Sequence, residues 1–422
     1  MNSTPRGSRL HIAVCGRRNA GKSSLVNALT NQETAIVSAV PGTTADPVYK
    51  SMEILPVGPV VIIDTAGIDD TGELGELRVQ KTAAVLNKAD LVLLVADPAR
   101  GVGGCERALL EKAKEKSVPV VGVVNKVDIY PAYDLVQTWS GESGLTVVPV
   151  SARTRLGIED LKKEIIRSAP KDWAMPAIVG DLIEPGDTVV LVVPIDLAAP
   201  KGRLILPQVQ TLRDILDHDA RALVVKEDGL RKALADLAHK PRLVITDSQA
   251  FRRVAADTPE EIMLTSFSIL YARYKGNLEI LAEGAAAVGR LKPGDRVLVA
   301  EACTHHRVEG DIGTVKIPRW LCQQVGGPLR FEWVNGLQLP AELTGYSLLI
   351  HCGACMINRR EMLHRIMQAG SAGVPVVNYG MLIASLHGIL ERALAPFPRA
   401  LELFRVSLRG VSATKQSQRQ HA

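Results

Sequence analysis

RLHIAVCGRRNAGKSSLVNALT, residues 9–30, runs from a strand-like segment through a glycine-bearing loop into a helical pattern. The spacing Gly16-x-x-x-x-Gly21-Lys22-Ser23 is a Walker A signature in the strand–loop–helix context it requires. Glycines let backbone N–H groups come close to phosphates, and the helix N-terminus adds its dipole. Gly16, Asn19, Ala20, Gly21, Lys22, Ser23 and Ser24 are therefore the candidate nucleotide-binding residues. Lys22 is placed to reach the β- and γ-phosphates, and the Ser23 hydroxyl to bind Mg2+. Cys15, at the strand end, reads as a small core residue. An α/β fold opening on a phosphate-binding loop follows.

Three segments downstream extend the pattern. VVIIDTAG, residues 60–67, is a buried strand ending in Asp64-Thr65-Ala66-Gly67. A carboxylate there can hold Mg2+ through water, and the Gly67 N–H can sense a γ-phosphate. VVGVVNKVD, residues 120–128, ends in Asn125-Lys126-x-Asp128. Asp128 can accept from both guanine N1–H and N2–H2 while the Lys126 stem lies over the base. Adenine presents no such donor pair, so this is a guanine site. VVPVSA, residues 147–152, puts Ser151 and Ala152 where a backbone N–H can meet guanine O6. Each segment alone is weak; all four in order, each at a strand's carboxyl end, are specific.

This constellation resembles the translation-factor-related GTPases, and within them the Era-like and tRNA-modification group. PGTTADPV, residues 41–48, looks like that group's first switch. The resemblance makes Thr44 the threonine that senses Mg2+ and the γ-phosphate, alongside Lys22, Asp64 and Gly67 in the catalytic set. Ala45 stands where the group usually has arginine, so that arginine's contacts do not carry over. Asn19 matches the asparagine with which potassium-activated members help coordinate K+, a cation that can neutralise transition-state charge in place of an arginine finger. Ile68 stands where a Ras-like protein has its water-orienting glutamine, so slow intrinsic hydrolysis is expected.

Length and composition frame the rest. The 422 residues suffice for two to four domains, and 46% hydrophobic with 4% aromatic content suits an aliphatic α/β protein. There is no apolar run of membrane-spanning length. MNSTPRGSR leads straight into the first strand, so no signal peptide is expected. Six cysteines in such a chain point to a reducing cytoplasm and to metal or redox chemistry rather than disulfides. The net charge of +5 is modest, and no membrane or nucleic-acid partner is expected. After Glu402 only basic charges follow, from Arg405 to Arg419, which reads as a solvated, frayed end.

Residues 168–187 are rich in Pro and Gly and read as a linker. Strand and helix patterns then alternate from 187 to 248, implying parallel βαβ units in a packing or oligomerisation module. A third α/β unit begins near residue 260. KPGDRVLVAEACTHHR, residues 292–307, is a turn and a strand running into Cys303-Thr304-His305-His306. YSLLIHCGACMINRREMLHRIMQAG, residues 346–370, is a strand, then His351-Cys352-x-x-Cys355, then a helix. Both stretches leave a sheet at strand carboxyl ends, where open α/β sheets place their sites. Cys303, His305, His351, Cys352 and Cys355 are the candidate ligands. Three thiolates plus imidazoles suit either Zn2+ or an iron–sulfur cluster.

Cys303-x-His305, then residues 306–350, then His351-Cys352-x-x-Cys355, resembles the cluster motif of the FeFe-hydrogenase maturation GTPases. The order of domains is similar too, over nearly the whole chain. The resemblance implies a P-loop GTPase domain over 1–170, a central βαβ dimerisation domain over 178–262 and a C-terminal α/β iron–sulfur domain over 263–396, with a basic tail over 397–422. It implies a 4Fe–4S cluster on Cys303, Cys352 and Cys355 and a labile fourth iron position, for which His351 or His305 is the protein-derived candidate. It further implies a homodimeric scaffold and carrier of a diiron precursor, which receives its cargo from the radical-SAM maturases HydE and HydG and delivers it to apo FeFe-hydrogenase. GTP, Mg2+, K+ and the cluster are the implied cofactors. Two other readings are open on the residues alone. A tRNA-modification GTPase would need a folate- or nucleic-acid-binding module and a C-terminal reactive cysteine, neither of which is evident. A ribosome-associated GTPase would use the cysteines for structural zinc.

Overall fold

The computed structural model describes residues 5–31, 47–67, 82–170, 176–195, 204–302, 311–336 and 339–420. Thr44, Ile68, Cys303 and His305, singled out above, lie outside the described residues. The chain divides into two units, residues 1–175 and 176–422.

The first unit is built on a six-stranded sheet: β1 (Leu10–Gly16), β2 (Val48–Ile54), β3 (Gly58–Asp64), β4 (Leu91–Ala96), β5 (Val120–Val124) and β6 (Val147–Pro149). Its order is β2-β3-β1-β4-β5-β6, parallel except for the antiparallel β2–β3 pair. β1 and β4 are buried along their whole length, which is why they read as continuous apolar runs. Alternation along β1 feeds two cores. Leu10, Ile12 and Val14 pack with Leu25 and Leu29 of α1 (Lys22–Thr30) and with Leu161 and Ile165 further along the chain. Ala13 and Cys15 pack on the other face with Leu109, Ala113 and Trp139. Burial pushes the Cys15 thiol up to about 11, so it is an inert core group, as expected.

The second unit carries two four-stranded parallel sheets. The central one comprises β7 (Thr188–Val192), β8 (Arg221–Val225), β9 (Leu243–Thr246) and β10 (Met263–Ser266), in the order β10-β9-β7-β8. The C-terminal one comprises β11 (Arg296–Glu301), β12 (Arg330–Asn335), β13 (Leu348–His351) and β14 (Val376–Asn378), in the order β12-β11-β13-β14. The central sheet thus runs past the expected boundary at 262, because Met263–Ser266 pairs in register with Leu243–Thr246. The presumed linker is also partly folded: Val179 and Gly180 donate their N–H groups to Asp214 Oδ2 at 2.7 and 2.8 Å.

Several helices begin where a strand or loop ends on a capping side chain. Ser266 caps Phe267–Lys275, Asn277 caps Leu278–Ala287, Asn358 caps Arg359–Ser371 and Asn378 caps Tyr379–Leu386. Each such bond satisfies an orphan N–H and is worth about 1 kcal/mol. Three side chains stitch the second unit together. Arg359 Nη1 donates to the carbonyls of Arg273, Tyr274 and Gly276, each at 2.9 Å. Arg392 donates to those of Ala255, Thr258 and Pro259 at 2.6–2.8 Å. Asn378 Nδ2 donates to Ser268 O at 3.0 Å.

The expected frayed tail is a helix, Pro398–Gln420, packed against Leu278–Ala287. Phe397, Ala400 and Phe404 are buried at a spacing that makes one apolar stripe. The basic residues of this stretch masked that stripe. Among the described residues, no helix is long and apolar enough to cross a membrane.

Candidate functional site

The phosphate loop leaves β1 at Gly16. A Cβ there would stand 2.2 Å from Val95 O, and φ is 152°; a Cβ on Gly21 would stand 2.2 Å from Asn125 Nδ2, with φ 87°. The two signature glycines are therefore demanded by close packing inside the protein as well as by phosphates. Asn19 adopts φ 64°, a left-handed conformation that asparagine tolerates. Lys22, buried, donates to Gly16 O at 3.0 Å and Arg17 O at 2.8 Å. A Cβ on Gly67 would lie 2.8 Å from Arg18 N, so the end of VVIIDTAG rests against the loop's backbone.

Ser23 Oγ donates to Asp64 Oδ2 at 2.6 Å, and Asp64 Oδ1 is buried without a partner. Burial raises the Asp64 carboxyl above its usual range, opposed by Ser23, Lys22 and Lys50. A hydroxyl and an under-satisfied carboxylate converging beside the phosphate loop form an oxygen donor set that fits Mg2+.

The base-reading loop is built around Asn125, which is 2% exposed. Its Nδ2 donates to Ala20 O at 3.0 Å, and its Oδ1 accepts from Ala152 N at 3.0 Å. Asn125 thus ties the phosphate loop to the VVPVSA segment. Asp128 is exposed at the end of this loop. The Ser151 N–H donates to Leu156 O at 2.9 Å and the Ala152 N–H to Asn125 Oδ1, which fixes the end of the VVPVSA segment beside the base-reading loop.

In the second unit, β11 and β13 are adjacent and parallel, with Ala300 opposite His351. That register brings the chain leaving β11 alongside the cysteine loop leaving β13. Cys352 donates its N–H to Ala300 O at 3.0 Å, and its Sγ accepts from Ala302 N at 3.2 Å. Cys352 and Cys355 are half-buried, and the loop between them turns through Ala354 at φ 55°. Two thiols on one loop, with Ala302 at the end of β11 beside Cys352, fit a thiolate-held metal group. Among the described residues, no three His, Cys, Asp or Glu side chains gather closely enough to hold a metal ion.

His351 does not join the thiols. It is fully buried, its Nδ1 lies 2.9 Å from Cys352 O, and its Nε2 lies 2.8 Å from Arg365 Nη1. A guanidinium can only donate, so Nε2 accepts and Nδ1–H donates to the carbonyl. Burial first, then Arg365, pull its pKa down to about 4. Both nitrogens are thus occupied, and His351 would have to leave Arg365 or the Cys352 carbonyl to serve as the expected fourth ligand. Arg365 is 2% exposed and also donates to Glu361 Oε1 at 3.3 Å and Gly336 O at 2.6 Å. Tyr379 donates to Glu301 Oε1 at 3.1 Å, and Tyr271 donates to Gln210. Burial pushes both phenols far up, with Cys352 near the first and Cys355 near the second adding to it.

A family model described as the hydrogen maturase F tetramerization domain matches residues 279–396, and one described as the hydrogen maturase F dimerization domain matches residues 178–276. A third, described as a 50S ribosome-binding GTPase, matches residues 11–126. The chain belongs to the hydrogen maturase F family. Its dimerization and tetramerization segments support oligomerisation. Two curated relatives match over little more than a third of this chain. The tRNA modification GTPase MnmE of Symbiobacterium thermophilum is 39% identical over 161 residues, 38% of this chain and 35% of that protein. MnmE of Aquifex aeolicus is 39% identical over 157 residues, 37% of this chain and 34% of that protein. The chain spans about a third of the length of these relatives. Among solved structures, Aquifex aeolicus Era bound to GDP.AlF4- is 22% identical, covering 51% of this chain and 93% of that one, with TM-score 0.36. The G domain of T. maritima FeoB is 26% identical, covering 38% and 99%, with TM-score 0.31.

Sequence reasoning missed Arg365, Glu361, Glu301, Tyr271 and Tyr379. Glu361 and Arg365 are spaced i,i+4 on one helix, a spacing that reads as a solvent-facing pair. Only the depth of burial shows otherwise.

Proposed function

We propose that this HydF chain is a guanine-specific, K+-stimulated GTPase that carries a 4Fe–4S cluster and serves as scaffold and carrier of a diiron precursor. HydE and HydG are the source of that cargo and apo FeFe-hydrogenase its recipient. In the first unit, Lys22 holds the β- and γ-phosphates, Ser23 and Thr44 bind Mg2+, Asp64 holds it through water, and Gly67 senses the γ-phosphate. Asn19 contributes to the K+ seat, and Asp128 reads guanine. In the second, Cys303, Cys352 and Cys355 hold the cluster, which supplies an iron position open to exchange. With His351 engaged by Arg365 and Cys352 O, His305 or water is the remaining candidate for that position. Domain limits of 1–170, 178–276 and 279–396 accompany this reading.

The observation that carries it is the Cys352-x-x-Cys355 loop, which lies at the carboxyl end of β13 beside Ala302, inside the segment matched by a hydrogen maturase F domain. Anaerobic purification followed by metal analysis and a visible spectrum tests it. About four iron and four sulfide per chain with broad absorption are expected. Stoichiometric zinc without iron would overturn the carrier reading and favour a structural metal site. Cargo-loaded protein is expected to confer hydrogen evolution on apo FeFe-hydrogenase. For the first unit, GTP is turned over and ATP is not; equal turnover of both would remove the guanine assignment.

A further inference from the structure

The connection that follows β4 touches the nucleotide site at two points. Asp97, 9% exposed, accepts a hydrogen bond from Lys126 Nζ at 2.6 Å. Its other carboxylate oxygen accepts from Ala99 N at 2.9 Å, and its carbonyl accepts from the N–H groups of Arg100 and Gly101. The acceptor is therefore itself held in a turn. Lys126 adopts φ 65°, and its Cε lies 4.0 Å from where a Cβ on Gly21 would stand. The lysine stem thus passes over the phosphate loop at Gly21 and is anchored at its far end by Asp97.

Further along the same connection, Glu106, 1% exposed, pairs with Arg17 Nη2 of the phosphate loop at 3.0 Å. Its Oε2 also accepts from Gly103 N at 2.9 Å. A Cβ on Gly103 would fall 1.8 Å from Arg17 Nη2, so the guanidinium fills the space a side chain would need. One short segment therefore grips Lys126 of the base-reading loop and Arg17 of the phosphate loop. A free lysine side chain carries large rotamer entropy, and a ligand that must order it binds more weakly.

We propose that Asp97 is a positioning residue for guanine nucleotide: it acts through Lys126, fixing the lysine stem across the phosphate loop before the base arrives, while Glu106 and Arg17 brace the same segment. This rests on the guanine reading of Asn125-Lys126-x-Asp128.

The test is a double-mutant cycle on the full chain, reading release of a fluorescent GDP analogue. Asp97→Asn keeps an acceptor for Ala99 N–H but removes the charge. It is expected to speed release about tenfold, and Lys126→Ala by at least as much. Asp97→Asn added to Lys126→Ala is expected to change nothing further, because the carboxylate has no lysine left to hold. Asp97→Glu, which restores the charge, is expected to stay within about threefold of the parent. KM for GTP rises in Asp97→Asn while kcat stays within about twofold. Losses that multiply in the double mutant would overturn the proposal, since they would mean Asp97 acts on the fold and not through Lys126. If Asp97→Asn does not fold, Asp97→Ser takes its place in the same cycle. A parent chain that fails to bind the analogue would overturn the guanine reading and the proposal with it; a parent that binds, with multiplying losses, would overturn the proposal alone.

Discussion

The two sites of this chain stand at the same place on the same kind of sheet, the carboxyl ends of parallel strands, yet they are held in opposite ways. In the nucleotide site the functional side chains hold one another and the neighbouring backbone: Ser23 binds Asp64, Lys126 binds Asp97, and Asn125 binds the backbone of Ala20 and Ala152. In the cysteine site half-buried thiols stand beside a frame of polar groups, His351 with Arg365, Arg365 with Glu361 and Tyr379 with Glu301, that also bonds the backbone at Cys352 and Gly336. A soluble ligand that comes and goes needs a pocket shaped before it arrives. Thiolates take their final geometry from the metal they bind, so the protein needs only to fix the walls.

The sharpest way to break this contrast is to remove a thiol. Cys352→Ala or Cys355→Ala is expected to abolish nearly all bound iron after anaerobic reconstitution, while GTP hydrolysis stays within about twofold. A cluster retained in either variant would mean the ligand set is wrong. Next in size is the frame. Arg365→Met removes the buried donor to His351, Glu361 and Gly336 O, and breaking such a buried pair costs about 3–5 kcal/mol. Urea unfolding followed in the second unit should report that loss with GDP affinity unchanged; a shift under about 1 kcal/mol would show that the frame is not what holds the loop. Asn125→Ala is the counterpart in the first unit. It removes a doubly bonded buried amide, at about 1–3 kcal/mol, and should weaken GTP binding about ten- to a hundredfold while leaving iron content unchanged. Smaller still is the cation effect. Hydrolysis is expected to be about tenfold faster in KCl than in NaCl at matched ionic strength, which separates a bound ion from screening, and Asn19→Ala should erase most of the difference. The smallest expected effect is at His351. With both ring nitrogens taken, His351→Asn should leave the nitrogen couplings in the pulsed paramagnetic resonance of the reduced cluster unchanged; their disappearance would return His351 to the ligand set.

How much was legible in the sequence follows the same division. The phosphate loop and the base-reading loop were readable because their constraints are local: Gly16 and Gly21 must be glycine at their φ, and each motif sits next to a run of strand residues. That both ligand-rich stretches leave a sheet at strand carboxyl ends was readable too; the register of β11 with β13 that brings Ala302 to Cys352 is seen only in the structure. What was not readable depends on contacts across long sequence separations. His351 looked like a ligand beside Cys352 until Arg365, fourteen residues on, closed its Nε2. Met263–Ser266 was assigned to the third domain because the helix after it dominates the pattern, whereas register with β9 puts it in the second sheet. The C-terminal helix was hidden by its charges, since Phe397, Ala400 and Phe404 supply only one apolar residue per turn.

Arg359, Arg392 and Asn378 give the second unit a property that its two family models do not express. The models part the chain between residues 276 and 279, but Arg359 and Asn378 reach back across that line to the carbonyls of Arg273, Tyr274, Gly276 and Ser268, and Arg392 to those of Ala255, Thr258 and Pro259. A gene truncated at 277 would strand those carbonyls on one fragment and three donor side chains on the other. Neither half is an exchangeable part. The oligomerisation and cysteine segments must be inherited together.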